Sequence, residues 1–291
     1  MSEELVPQGQ IIDGTHYVLG GPEAAQETVV FIHGTGYTLW HFNRMAAHLA
    51  SLGFRTLQYD MMGRGFSSPS PNGKYGIEEH VQQLLNLVQK LGILGKLHVF
   101  GHSFGGGIAS CFVARHMDLV KSLTLLAPAG LLNKTPLSTV RYWALTRHAV
   151  KSAHSKLPNR VQAWRSDFFS HSGEALEIEN EMVSELSKIY TKKPEVFEGY
   201  FRALMEGPMY GIDRDLEAIA ANPSITVHLL WGLNDKAIPY KPHFDRFAQH
   251  LDKKACKFAS QTFDNTAHGF FLEKHQEVND AVGKFLTSLS P

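Results

Sequence analysis

The pentapeptide Gly101-His102-Ser103-Phe104-Gly105 has the form G-x-S-x-G, the pattern of a nucleophile elbow. Three fixed positions in five recur by chance, so the context decides. Here an apolar run, KLHVFGH (96–102), precedes the serine and a helical run, GGGIASCFVARH (105–116), follows it. A serine at a sharp strand-to-helix turn is held in a strained backbone conformation. Side chains at the flanking positions Gly101 and Gly105 would collide across that turn. The hydroxyl stands clear of the strand, and the helix N-terminus behind it favours developing negative charge. Such a serine can attack a carbonyl carbon once a neighbouring base takes its proton.

Two later segments offer the base and its partner. Trp231-Gly232-Leu233-Asn234-Asp235 follows an apolar strand pattern, and Ala267-His268-Gly269-Phe270-Phe271 follows the last one. Among sixteen histidines, His268 is favoured by position and order. His102 precedes the serine on a strand and is expected to point away from it. His243, His250 and His275 fall on helical patterns and are expected at the surface. Asp264 competes with Asp235 as the acid, but Asp235 has its own strand-end loop from which to reach the far imidazole nitrogen. Asp213 and Asp215 rank below both.

Acyl transfer also needs backbone N–H donors aimed at the tetrahedral oxyanion. Phe104 is the expected first donor. The second is expected from His33-Gly34-Thr35-Gly36, most naturally Thr35, with Gly34 and Gly36 giving backbone clearance and His33 tying the loop down. Asp60-Met61-Met62-Gly63-Arg64-Gly65-Phe66-Ser67 reads as a structural turn near the rim, since it lacks the third glycine of a dinucleotide loop. No Cys/His set has zinc spacing, and there is no H-E-x-x-H or Walker loop, so neither metal nor cofactor is expected.

The elements that must position these groups alternate. QIID and HYVL, around Gly14, suggest an opening hairpin. TVVFIH (28–33), FRTLQYD (54–60), KLHVFGH (96–102), VKSLTLLAP (120–128), ITVHLLWG (225–232) and KFASQTF (257–263) read as strands. Helical patterns fall at 41–53, 77–92, 105–116, 241–251 and 275–289. In the second, Val81, Leu84, Leu85, Val88 and Leu91 share a stripe. Strand–helix alternation predicts right-handed crossovers and a parallel sheet. From about residue 131 to 222 the rhythm breaks into a helical block rich in aromatics: Tyr142, Trp143, Trp164, Phe168, Phe169, Tyr190, Phe197, Tyr200 and Phe201. This block reads as a cap (131–222) inserted into a core formed by 1–130 and 223–291, with its Met and aromatic residues mostly core and a minority lining an acyl pocket.

The 291 residues suffice for one large α/β domain with an insertion. Lys+Arg and Asp+Glu both number 28, so charge gives no argument for nucleic acid or an anionic membrane. Two cysteines, Cys111 and Cys256, do not make a disulfide framework. The start, MSEELVPQGQ, lacks the basic and apolar regions of a signal peptide, and no run is long enough for a membrane span. A cytoplasmic enzyme is expected.

HGTG (33–36), DMMGRGFS (60–67), GHSFGG (101–106), WGLNDKAIP (231–239) and AHGFF (267–271), in this order along the whole chain, resemble the α/β-hydrolase superfamily. The resemblance implies a mainly parallel sheet flanked by helices, a helical cap between the sixth and seventh strands, and a triad of Ser103, Asp235 and His268. It is greatest to the capped branch of carboxylesterases, monoacylglycerol lipases and carbon–carbon bond hydrolases. The serine nucleophile disfavours the aspartate-dependent branches, and Gly269-Phe270 after His268 differs from the tryptophan common in ring-cleavage hydrolases. Hydrolysis of a small-molecule carboxylic ester is therefore expected. Carbon–carbon bond hydrolysis and non-enzymatic ligand binding are the alternatives, and the cap leaves room for peripheral contact with lipid.

Overall fold

The computed structural model describes residues 9–132, 162, 164–193, 195–252 and 254–289. Its first two strands, β1 (Gln10–Ile12) and β2 (Thr15–Gly20), form the expected antiparallel hairpin. Asp13 and Gly14 between them both have positive φ, 48° and 77°, which suits the twist of a two-residue hairpin turn. The sheet continues with β3 (Thr28–Ile32), β4 (Arg55–Tyr59), β5 (Leu97–His102), β6 (Val120–Leu126), β7 (Thr226–Gly232) and β8 (Lys257–Phe263).

The eight strands lie in the order β1-β2-β4-β3-β5-β6-β7-β8. β2 meets β4 antiparallel, and every pairing from β4 to β8 is parallel. Every residue of β3 and β5 is buried, as parallel strands covered on both faces require. β8 closes the sheet and is mostly exposed, which explains its more polar sequence. The chain runs outward from β3 to β4 on one side and to β5 on the other. The crevice at the C-terminal ends of β3 and β5 is therefore a switch point, the usual ligand position in such sheets.

Helices cover both faces: α1 (Asn43–Ser51), α2 (Ile77–Lys90) and α3 (Phe104–Arg115) precede β6. In α2, His80 and Leu87 join Val81, Leu84 and Val88 on the buried face, whereas Leu85 and Leu91 of the expected stripe are only half-buried. α3 is buried along most of its length because its glycines let it press against β5.

Between β6 and β7 come a 3-10 turn (Trp164–Asp167), α4 (Gly173–Lys192), α5 (Val196–Glu206) and α6 (Asp213–Ala220). The described part of this segment contains no strand. Tyr142 and Trp143 lie outside the described residues. The α4–α5 pair buries Ile178, Met182, Leu186, Tyr190, Phe197 and Phe201 in a core continuous with that of the sheet. After β7 follow α7 (Tyr240–Leu251), a one-turn helix α8 (Phe270–Glu273) and α9 (His275–Thr287). Among the described residues no helix is long and apolar enough to cross a membrane.

Candidate active site

Ser103 directly follows β5 with φ 55° and ψ −121°, a conformation worth about 1–3 kcal/mol of strain for a non-glycine residue. Its surroundings hold it there. The Ser103 N–H donates to the Leu126 carbonyl (2.9 Å), and its own carbonyl accepts from Gly106 N–H (2.9 Å) and Ala129 N–H (2.8 Å). A Cβ on Gly105 would lie 2.2 Å from the Ile32 oxygen, and one on Gly101 would lie 2.4 Å from the Gly105 oxygen. Both contacts are with backbone, which cannot swing aside, so only glycine fits. Phe104 is the first helical residue of α3, so its N–H has no partner within the helix.

The 34–36 loop emerges from β3 directly beside this turn. A Cβ on Gly34 would stand 3.4 Å from Ser103 Cβ. Thr35 is buried, and its carbonyl accepts from Arg64 Nε at 3.4 Å. His33 is buried with Nδ1 2.7 Å from the Gly34 oxygen, and Met61 N–H donates to its Nε2 at 3.0 Å. Burial pushes its pKa down to about 4, so the ring is neutral and the loop is pinned at both ends. The 60–67 segment is a turn organised by the buried Asp60. This carboxylate meets His16 Nδ1 (2.7 Å) and accepts from the N–H groups of Leu39 and Phe66 (2.9 Å each). Burial would raise its pKa, but the hydrogen bonds from His16 and the Leu39 N–H and the neighbouring His33 hold it below the usual carboxylate range.

Asp235 and His268 come from the loops after β7 and β8. His268 Nδ1 lies 2.7 Å from Asp235 Oδ2, and both residues are buried. The other oxygen, Oδ1, accepts from Ala237 N–H and Ile238 N–H at 2.8 Å each, so the carboxylate is fixed as an acceptor. That arrangement keeps the imidazole proton on Nδ1 and leaves Nε2 as the basic atom. Burial disfavours the imidazolium, but Asp235, its hydrogen bond and the nearby Asp167 outweigh burial and raise the pKa of His268.

The competing candidates lie elsewhere. Asp264 is exposed. Asp213 faces His250 (3.2 Å), and Asp215 meets Cys111 Sγ (3.6 Å). His275 pairs with Glu174, and His243 with the Pro239 carbonyl. The strand alternation that predicts His102 to point away from Ser103 sends it into the packing behind the site. Its ring lies 4.6 Å from the His268 ring, and its Nε2 is 3.1 Å from the His268 carbonyl. Burial, and then the neighbouring His268, keep His102 neutral. His102, the residue before Ser103, is thus in contact with His268, although among the described residues the Ser103 hydroxyl makes no hydrogen bond to His268.

Sequence reasoning missed two groups beside His268. Tyr37 stacks on His102 (5.0 Å between rings) and donates to Asp167 Oδ2 at 2.8 Å. Asp167 belongs to the segment between β6 and β7, and its carbonyl accepts from Gly269 N–H at 2.7 Å. Neither sits in a motif that would mark it. Trp164, one turn earlier, presses on the 34–36 loop so closely that a Cβ on Gly36 would lie 2.6 Å from the indole. Among the described residues no three His, Cys, Asp or Glu side chains are grouped as metal ligands.

The chain is similar to several hydrolases. It is 35% identical over 103 residues to "Probable lysophospholipase BODYGUARD 4" of Arabidopsis thaliana, covering 35% of this chain and 25% of that protein. It is also 35% identical over 106 residues to Lipase 1 of Psychrobacter immobilis, covering 36% and 33% respectively. The matches therefore span only a quarter to a third of the length of these curated relatives. In structure it resembles a thermophilic esterase from Thermogutta terrifontis, with a TM-score of 0.76 at 18% identity over 95% of this chain and 94% of that one. The family described as alpha/beta hydrolase fold matches residues 27–274. With that match over most of its length and a mostly parallel eight-stranded sheet beneath it, the chain belongs to the alpha/beta hydrolase fold family.

Proposed function

We propose that the chain is a serine hydrolase that cleaves carboxylic esters through an acyl-enzyme, with Ser103, His268 and Asp235 as its triad. One observation carries the reading: the imidazole of a buried Asp235–His268 pair at 2.7 Å lies 4.6 Å from the ring of His102, the residue before a serine held at φ 55° on a strand-to-helix turn. Ser103 Oγ attacks the ester carbonyl while His268 Nε2 takes its proton. The N–H groups of Phe104 and Thr35 hold the oxyanion. His268 then gives the proton to the leaving alkoxide, releasing the alcohol. Water, deprotonated by the same imidazole, attacks the acyl-enzyme and frees the acid. Asp235 orients the ring and stabilises its charged form. In this reading the hydrogen bond from Ser103 Oγ to His268 Nε2 forms in the complex with substrate, where catalytic hydrogen bonds commonly tighten.

The segment 131–222 acts in this reading as a cap. Trp164 over the 34–36 loop and Gly207 against the Phe104 ring support a lid that shapes the acyl pocket from apolar and aromatic groups. The relatives named lipase and lysophospholipase support an ester of lipid type. Both cysteines are free and buried, which fits a cytoplasmic enzyme. The test is hydrolysis of p-nitrophenyl butyrate by the wild type and by Ser103→Ala. The substitution is expected to lower kcat/KM by at least about 10³-fold. Activity within tenfold of wild type would refute the assignment.

A further inference from the structure

A second carboxylate lies near the Asp235–His268 pair, and it comes from the segment between β6 and β7. Asp167 is buried at 7% exposure and has no lysine or arginine partner among the described residues. The nearest cation in sequence, Arg165, is engaged by Glu179 and Asn180. The Asp167 carboxylate accepts one hydrogen bond, from Tyr37 Oη at 2.8 Å. Its backbone carbonyl accepts the N–H of Gly269, the residue after His268, at 2.7 Å.

These contacts close a ring. Asp167 touches Tyr37; Tyr37 stacks on His102; the His102 ring lies 4.6 Å from that of His268; and Gly269 returns to Asp167. Glu273 locks the same junction, its Oε1 accepting from Phe169 N–H (3.0 Å) and Ser170 N–H (2.5 Å), and its Oε2 from Ala267 N–H (3.1 Å). One carboxylate thus ties both flanks together, and the other, Asp167, is held by Tyr37 beside the loop that carries His268.

We propose that Asp167 is a positioning residue of the catalytic centre: its carboxylate sets the charge balance at His268 and, with Tyr37 and the Gly269 N–H, fixes the loop that carries the imidazole. This rests on the triad reading above. The buried charge argues for it. An unpaired carboxylate in this place is costly to keep, and leucine or asparagine would pack there without that cost. Burial indeed holds the Asp167 carboxyl above the usual carboxylate range, against the opposing pull of His268 and Tyr37. A raised carboxyl favours the protonated form in the fold, so its stabilising contribution is lost as pH rises and the ionised group weighs against folding at neutral pH. The groups facing His268 are Asp235 from the loop after β7, Asp167 from the segment after β6, and the neutral His102 and Tyr37 from the ends of β5 and β3. Among the described residues, Asp235 and Asp167 are the carboxylates that act on the His268 charge, while the nearby Glu273 carboxylate is occupied by backbone N–H groups.

The test is the pH profile of kcat/KM for p-nitrophenyl butyrate with Asp167→Asn, which keeps the size and the acceptor for Tyr37 but removes the charge. The inference predicts that the acid limb, where His268 loses its proton, moves to lower pH by about 0.5–1 unit. It also predicts a plateau several-fold below wild type and a melting temperature equal to or above it. Asp167→Glu should return the limb toward the wild-type position. Should Asp167→Asn not fold, Tyr37→Phe serves instead; it removes the donor that favours the Asp167 anion and should move the limb the same way. An unmoved limb with a lowered melting temperature would show packing alone and overturn the inference. Ser103→Ala, measured in parallel, separates the two ideas: if it is inactive while the limb stays still, only the role of Asp167 fails. If it is active, the triad reading itself falls.

Discussion

Ser103 is forced into a left-handed backbone by neighbours that are not chemical at all. Gly101 and Gly105 permit the chain to cross itself, and the Leu126, Gly106 and Ala129 peptides hold the crossing closed. Asp235 is fixed in the same spirit, since two backbone N–H groups occupy one oxygen and leave the other for His268. The exposed Asp264, closer to His268 in sequence, has no such anchoring. Asp235→Asn should keep the geometry but free the imidazole to take the wrong tautomer, lowering kcat by about 10³–10⁴-fold. Asp264→Asn should leave kcat within about twofold, as a surface change away from the site does. Ester hydrolysis by the two variants decides between the aspartates, and the reverse pattern would transfer the role to Asp264.

The elements were legible in proportion to how fully they are covered. TVVFI, LHVFGH and TVHLLWG read as apolar runs because both faces of those strands are buried. The edge strand KFASQTF has only its last residue buried and is marked mainly by its place in the alternation. In α2 the amphipathic stripe was plain, yet His80 on its buried face was not, because a histidine carries no apolar signal. The one-turn helix Phe270–Glu273 is too short for any periodicity to register. At the site, Ser103, Asp235 and His268 stand in motifs at strand ends. Asp167 and Tyr37 do not: they meet across 130 residues, through the docking of the β6–β7 segment on the 34–38 loop, which no local pattern encodes.

On the scale of the whole molecule, the distribution of histidines makes the fold sensitive to acid. Burial pushes the pKa of His33 and His228 down to about 4 and of His41 to about 3, and those of His80, His98 and His102 also fall. A histidine depressed in the fold binds its proton more readily when unfolded, so its contribution to stability is present above about pH 6.5 and is lost as pH falls toward the folded value. His268, raised in the fold, works in the opposite sense but is one against six. The urea midpoint should therefore be clearly lower at pH 5.0 than at pH 7.5 with an unchanged slope; an equal or higher midpoint at pH 5.0 would contradict this. The same architecture brings three distant loops to one edge of the sheet, and the account depends on the chemistry of their meeting. Its most direct measurement is mass spectrometry of the chain after reaction with a fluorophosphonate. The account predicts one adduct per molecule, located on Ser103, formed more slowly by at least about 10²-fold in His268→Ala. No adduct on the folded protein, or an adduct on another residue, would contradict it.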